Sequence, residues 1–503
     1  MKNIRPFQSN QGHSIPRRFA RATHLAIIAT LLLFVACEPP AEEEEAGRER
    51  LPEGTTMKII VVDDSAMAEQ IRLQSGTWET TTGASLEVIE WTVQEYGDTA
   101  SLEADVLITS PYEMGNLIER DWIQSPALLN EKGPSMFGEG AGEEDAVSQE
   151  LLDSWRGHFS LLREREAKWG KEVYGVPLGS PVFVLYYRRD LLEKIERDPP
   201  ADWAEYVEVV ELLSAQNETE FAAVEPVGPG WGGLSLLARA APYSLSPDDY
   251  SFPFDINTMD SLVATSAFVR ALEEMQASLE CGGGAVLDFD ALACADPDAV
   301  RRLFWAERTA LAVTWPTASM DEIETLLEDD QVGVAILPGV MNTAPGSGVE
   351  IRNVPLVSMS GRMGFVTKET EQPDYALELL LWLSSEELGA NTAIQSEVTM
   401  PFRDDQIRGI LNWIEPVMGA RGAIEYADAV MASYGGRQCA LAPRIAGRER
   451  YLAALDQAVQ AVLSGELTPQ EALNTAALEW DAVTQELGVD AQRDAYRKSL
   501  GMR

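Results

Sequence analysis

At 503 residues the chain is longer than one ordinary hydrophobic core can organise, so two or more lobes are expected. Its 45% hydrophobic content marks it as globular, and a formal net charge of −42 opposes nucleic acid or anionic lipid headgroups as partners. Of the histidines, His13 and His24 precede the expected export cleavage site, which leaves His158 alone for a metal centre or a Ser-His triad; its setting supplies neither, and a surface or half-packed histidine is expected.

Arg17, Arg18 and Arg21 precede the apolar run Leu25 to Ala36, which stops at Cys37 and breaks into Glu38-Pro39-Pro40. That order of parts is an export signal, and the run is shorter than the ~20 apolar residues of a spanning helix. Leu33-Phe34-Val35-Ala36-Cys37 resembles a bacterial lipobox, with Phe34 where leucine is usual. The resemblance implies acylation of Cys37 and a protein of the periplasm or cell surface held to its membrane by lipid; an ordinary cleaved signal and an uncleaved chain with a buried thiol are the alternatives. Residues 1–37 thus read as a lipoprotein-type signal segment. Residues 38–56, with Glu42 to Glu45, read as a flexible acidic tether.

From Met57 onward, Lys58 to Val62, Leu86 to Trp91 and Asp105 to Thr109 read as strands separated by helix-length segments, the signature of a parallel α/β sheet. Ligands gather at the carboxyl ends of such strands. Those ends carry Asp63, Asp64 and Ser65, then Thr109, Ser110, Tyr112 and Glu113, which equally suit helix caps and turns. Asn130 to Glu150 has no period and reads as a loop or a poorly ordered excursion.

Tyr174 to Asp190 holds the densest local signal. Gly175, Pro177, Gly179 and Pro181 exclude a helix, Val182 to Tyr187 suits a buried strand that Pro181 can only open, and Arg188, Arg189 and Asp190 return the chain to solvent. Pro199-Pro200 stops the chain before a capping box at Asp202 to Glu205, and Trp203, Val207, Val210 and Leu213 share one helix face. Trp231 lies in a Pro- and Gly-containing loop, either as an anchor beneath the helix at Leu234 to Ala241 or as an exposed platform. Cys281 and Cys294 flank a glycine-rich loop and can form a local disulfide, leaving Cys439 free; a metal is the weaker reading without CxxC or a nearby histidine.

Ala310 to Trp315 reads as a buried strand closed by Pro316, Val332 to Pro338 as another, and Phe365 to Lys368 as the end of a further short strand. Pro373 suits a first helical turn ahead of Leu377, Leu380, Leu381 and Trp382. Leu452, Leu455, Val459 and Val462 form a stripe on a helix that Gly465 ends. Thr468-Pro469-Gln470-Glu471 is the capping box of the next helix, with Ala472, Ala476 and Trp480 on its buried face.

Taken in order, Tyr174 to Pro177, Leu185 to Leu192, Pro199 to Trp203, Ala306 to Leu311, Val332 to Gly339 and Ser464 to Leu473 resemble motifs of the bacterial extracellular solute-binding proteins of carbohydrate-type ABC importers. The resemblance implies a two-lobed α/β periplasmic binding fold of type II, with mixed sheets flanked by helices and a ligand cleft between the lobes. Residues 57–180 plus 362–400 would form the first lobe, and 181–361 plus 401–503 the second. It implies no catalytic residue, metal or cofactor, a monomer, and ABC permease subunits as partners. A sugar offers apolar CH faces to aromatic rings and hydroxyls to polar side chains. Carried over by position, Trp231 and Trp315 are the stacking candidates, with Tyr112, Glu113, Asp64 and Arg444 as polar ones and Ser180 and Phe183 lining the cleft. Pro181 stands where related maltose-type receptors have an acidic residue. The competing readings are a secreted carbohydrate-active hydrolase with paired carboxylates and a solute sensor for a signalling partner.

Overall fold

Lys58 to Val62 sit in a strand, β1 (Thr56–Val62), whose last four residues are all buried, the pattern of a strand covered on both faces. The computed structural model describes residues 51–502 except 53, 131–142, 247–249, 282–295, 319–324, 326, 329–330, 345–347 and 437. In it β1 pairs in parallel with β2 (Ser85–Trp91) and β3 (Val106–Thr109), bringing Ile59 beside Val88 and Val106. A two-residue-strand hairpin, β4 (Lys168–Trp169) and β5 (Glu172–Val173), precedes β6 (Gly175–Gly179).

Beyond β6 the chain leaves this sheet. Residues 180–183 carry it into a second sheet, built from β7 (Val184–Arg188), β8 (Phe221–Val224), β9 (Thr309–Thr314) and β10 (Val332–Ile336) in the order β10-β7-β9-β8. A hairpin of β11 (Val340–Ala344) and β12 (Gly348–Arg352) follows, then β13 (Leu356–Val357). Ser358 to Gly361 return the chain to the first sheet as β14 (Arg362–Val366), antiparallel to both β3 and β6, which completes the order β2-β1-β3-β14-β6. Helix Pro373–Leu383 packs on β14, whereas helix Gly419–Tyr434 packs on β10, so the chain crosses to the second sheet again near residue 400. β15 (Ala440–Leu441) pairs with β13.

The stiff bend before β7 is therefore a strand followed by a crossing. Pro177 is accommodated because β6 is an edge strand, with β14 its one partner in the sheet. Gly179 has a φ of +131°, and a Cβ there would lie 2.5 Å from Thr399; Gly361 has a φ of +113°, and a Cβ there would meet the Gly179 carbonyl. The crossings run side by side at these two glycines. The Val182 amide also faces Met400 Sδ at 3.1 Å.

Caps follow the sequence closely. Asp64 accepts from the Met67 amide at 2.9 Å, Asp202 from the Glu205 amide at 2.9 Å, and Thr468 with Glu471 forms a complete box at helix Pro469–Leu487. Glu205 reaches back to the Ala201 amide.

Three expectations need correction. Part of the stretch read as a loop is helical: helix Glu143–Arg156 takes up the end of Asn130 to Glu150, and 131–142 fall outside the described residues. Arg188 and Arg189 do not return to solvent but are 8% and 6% exposed, because Asp190 and Glu425 each grip a guanidinium with two hydrogen bonds. His158 is fully buried between Trp155 and Phe402, and burial beside Arg403 pushes it down to about 3. Cys37 and the signal segment, and the pairing of Cys281 with Cys294, lie outside the described residues. Cys439 is a free cysteine.

Candidate functional site

The carboxyl ends of the first sheet open onto a cavity of about 600 Å³, lined by Asp63, Asp64, Trp91, Arg362, Ser396 and Glu397 among others. β1 delivers the aspartates there, and a left-handed φ of 52° at Asp63 turns the chain into helix Ser65–Thr82. Asp64 caps that helix through one oxygen. Its other oxygen takes the Ser396 hydroxyl at 2.5 Å and lies 2.9 Å from Arg362 Nε, a pair nearly closed to solvent. The capping reading of Asp64 is realised, and the same carboxylate also borders the cavity beside an arginine.

Three aromatic rings gather nearby. Phe183 from the first crossing, Trp315 just after β9, and Trp231 ahead of helix Gly232–Ser244 form a triangle with centroids 5.9, 5.8 and 6.2 Å apart. Phe183 and Trp315 are buried and Trp231 half-buried. Trp315 Nε1 donates at 2.9 Å to the carbonyl of Glu397, a residue that lines the cavity. That bond makes the aromatic cluster and the cavity neighbours.

Trp231 is held by a residue that the sequence reading passed over. Asp456 accepts from the amides of Gly230 and Gly233 at 2.7 Å each and so pins the turn that presents the indole. Burial raises its carboxyl above the usual range, and the two amides oppose that rise. The signal was present: Asp456 lies within the apolar stripe Leu452, Leu455, Val459, where a carboxylate has no reason to be unless it has partners.

Tyr112 lies in the short turn after β3, under the Arg448 guanidinium at 3.8 Å from its ring centroid. Arg448 is 9% exposed, reaches the Met359 carbonyl at 3.4 Å, and burial lowers its pKa. Glu113 turns aside and accepts from Tyr96 and Asn116 at 3.1 Å each. Ser180 and Arg444 converge elsewhere. Ser180 donates to Glu166 at 2.6 Å. Arg444 is buried on the carbonyls of Glu166 (2.5 Å), Lys168 (3.2 Å) and Ser499, and desolvation pulls it down to about 10. Both fasten the region of the crossings.

A family model for bacterial extracellular solute-binding proteins matches residues 89–390. The chain belongs to this family. A solute-binding protein of this kind binds its solute and is not an enzyme, and its fold is the two-lobed α/β fold of its structural relatives. The solved sugar-binding protein MalE of Xanthomonas citri is 16% identical with a TM-score of 0.63, covering 86% of this chain and 98% of that one. A solute-binding protein of Agrobacterium radiobacter K84 in complex with ribitol is 16% identical with a TM-score of 0.61, covering 86% of this chain and all of that one. The maltose-bound MalE3 of T. maritima is 17% identical with a TM-score of 0.60, covering 85% and 100%. By sequence, the multiple sugar-binding protein of Streptococcus mutans is 31% identical over 120 residues, 22% of this chain, and the match spans 27% of that relative. Among the described residues no helix of this solute-binding protein is long and apolar enough to cross a membrane.

Proposed function

We propose that the protein is the extracytoplasmic receptor of an ABC importer, held to the membrane by lipid on Cys37, which closes its two lobes on a small polyhydroxylated solute, a sugar or a sugar alcohol, and presents it to the permease. The lobes are residues 57–180 plus 362–400 and 181–361 plus 401–503, closing as a monomer. The observation that carries this reading is the meeting of the Phe183, Trp231 and Trp315 rings next to a cavity lined by Asp64, Arg362 and Ser396, the two linked by the Trp315 Nε1 bond to the carbonyl of the cavity-lining Glu397. Rings match the apolar CH faces of a sugar, and the carboxylate, guanidinium and hydroxyl match its rim. Tyr112 under Arg448 adds a further polar and aromatic edge, with Glu113 behind it. Arg444 and Ser180 serve closure, not contact with solute.

The relatives support the class of solute: ribitol, maltose and multiple sugars are named for proteins of this fold or family. Calorimetric titration with oligosaccharides, monosaccharides and sugar alcohols tests the reading. Saturable binding of one of them, weakened by Trp231→Ala, supports it; an absence of heat across the set removes it.

A further inference from the structure

We propose that Glu166 is a neutral carboxyl pin joining two interlobe crossings, so that closing the lobes takes up a proton and opening them releases it. This rests on the two-lobed closure of the preceding reading, but its test uses no solute, so the two fail separately.

Glu166 ends the helical turn Leu162–Glu166, just before β4, and has no exposed surface. Its Oε1 accepts from Ser180 at 2.6 Å and from Ser358 at 2.9 Å. Ser180 opens the first crossing and Ser358 the second. One carboxyl oxygen therefore ties together the two segments that must twist when lobes separate. Tyr434 donates to the Ser180 carbonyl, closing the cluster from helix Gly419–Tyr434.

The other oxygen decides the charge. Oε2 is buried and has no hydrogen-bond partner, and no lysine or arginine forms an ion pair with the carboxyl among the described residues. Arg444, the cation that faces it, donates to the main-chain carbonyl of Glu166 itself and to those of Lys168 and Ser499. The remaining groups around it are the Tyr434 phenol and the Cys439 thiol, both held neutral by burial. On its own turn, Arg163 is turned to the His158 carbonyl and Arg165 to the Tyr250 ring. An ionised carboxylate here would have two hydroxyl donors on one oxygen and none on the other. The neutral acid leaves only an unpartnered hydroxyl, a far smaller cost than an unsolvated charge. Desolvation accordingly raises the Glu166 pKa, and the serines and Arg444 offset that only in part.

Opening the lobes separates the crossings and admits water, which returns the carboxyl to its ordinary range. Below that range both states are protonated and closure is unhindered. As pH rises between the ordinary and the raised value, the open state sheds a proton that the closed state keeps. Closure then weakens by up to about tenfold per pH unit, and above the raised value the penalty is constant.

The test compares the solute-free wild type with Glu166→Gln by small-angle scattering from about pH 4 to about pH 8, a span that brackets the lower edge of the window. The wild type is expected to expand as pH rises; the glutamine variant, a neutral amide that still accepts from both serines, is expected to stay compact throughout. Infrared spectra of the closed wild type should show a protonated-carboxyl band that Glu166→Gln lacks. Ser358→Ala keeps the carboxyl but unties the second crossing, and should expand at a lower pH than the wild type. Superimposable scattering curves for wild type and Glu166→Gln, no band lost on substitution, or an unshifted Ser358→Ala curve would each overturn the proposal.

Discussion

Two regions of this molecule bring polar and aromatic side chains together out of bulk water, and they do so for opposite ends. Phe183, Trp231 and Trp315 meet next to a cavity of about 600 Å³, linked to it by the Trp315 bond to the Glu397 carbonyl, and Trp231 keeps part of its surface free. Glu166, Ser180 and Arg444 are buried and make their hydrogen bonds to other parts of the chain, one Glu166 oxygen staying without a partner, and no surface is left for a ligand. Residue type does not separate the two, since an arginine, a serine and an acid occur in both. What separates them is the space beside them: Asp64, Arg362 and Ser396, though bonded to one another and to the main chain, border open volume, whereas Arg444 is enclosed on three carbonyls.

Breaking the sealed region should have the largest effect. Arg444→Met strands buried carbonyls and should cost about 3 kcal/mol or more of folding stability, read by urea denaturation. In the cleft the same size of change should fall on binding instead. Trp231→Ala is expected to weaken solute affinity by about 2 kcal/mol, roughly 30-fold, with little loss of stability, by calorimetry and thermal melting on one preparation. A stability loss equal to that of Arg444→Met would erase the distinction.

His158 sharpens the comparison through pH. Its folded-state pKa is pushed from the ordinary imidazole value of 6.5 down to about 3, so the unfolded chain takes up a proton that the folded chain refuses. Stability is full above the unfolded value and falls as pH drops below it, by about 1.4 kcal/mol per unit, or about 2 kcal/mol by pH ~5. His158→Gln should lack that part of the acid sensitivity in denaturation midpoints taken at neutral and acid pH. Asp456→Asn should have the smallest effect. It weakens the two amide bonds that hold the Trp231 turn, at about 1 kcal/mol of stability, while lowering affinity through the indole it positions.

Much of the fold was legible because its causes are local. The runs around Ile59, Val88 and Leu107 become strands by β-branched content, and Asp64, Asp202 and Thr468 cap helices by chemistry that acts over three residues. The aromatic wall was half legible: Trp231 and Trp315 stood out as indoles next to glycine or proline, but their meeting with Phe183 depends on pairing β7 with β9 across more than a hundred residues. The sealed region was the least legible. Glu166 meets Ser358 and Arg444 only once the crossings are folded, and no periodicity marks a partner so distant. Arg189 misled for the same reason, whereas the partner of Arg188 is the nearby Asp190. Their charge suggested solvent, and the distant Glu425 that buries Arg189 left no trace near it.

The central claim is that solute is held between the aromatic wall and the Asp64 side of the cavity. The most direct measurement is a calorimetric titration of a set of oligosaccharides, monosaccharides and sugar alcohols into the wild type, Trp231→Ala and Asp64→Asn. The account predicts that one member of the set binds the wild type and loses affinity in both variants, one from each wall. A solute that binds all three proteins with the same affinity would place its site elsewhere and contradict the account.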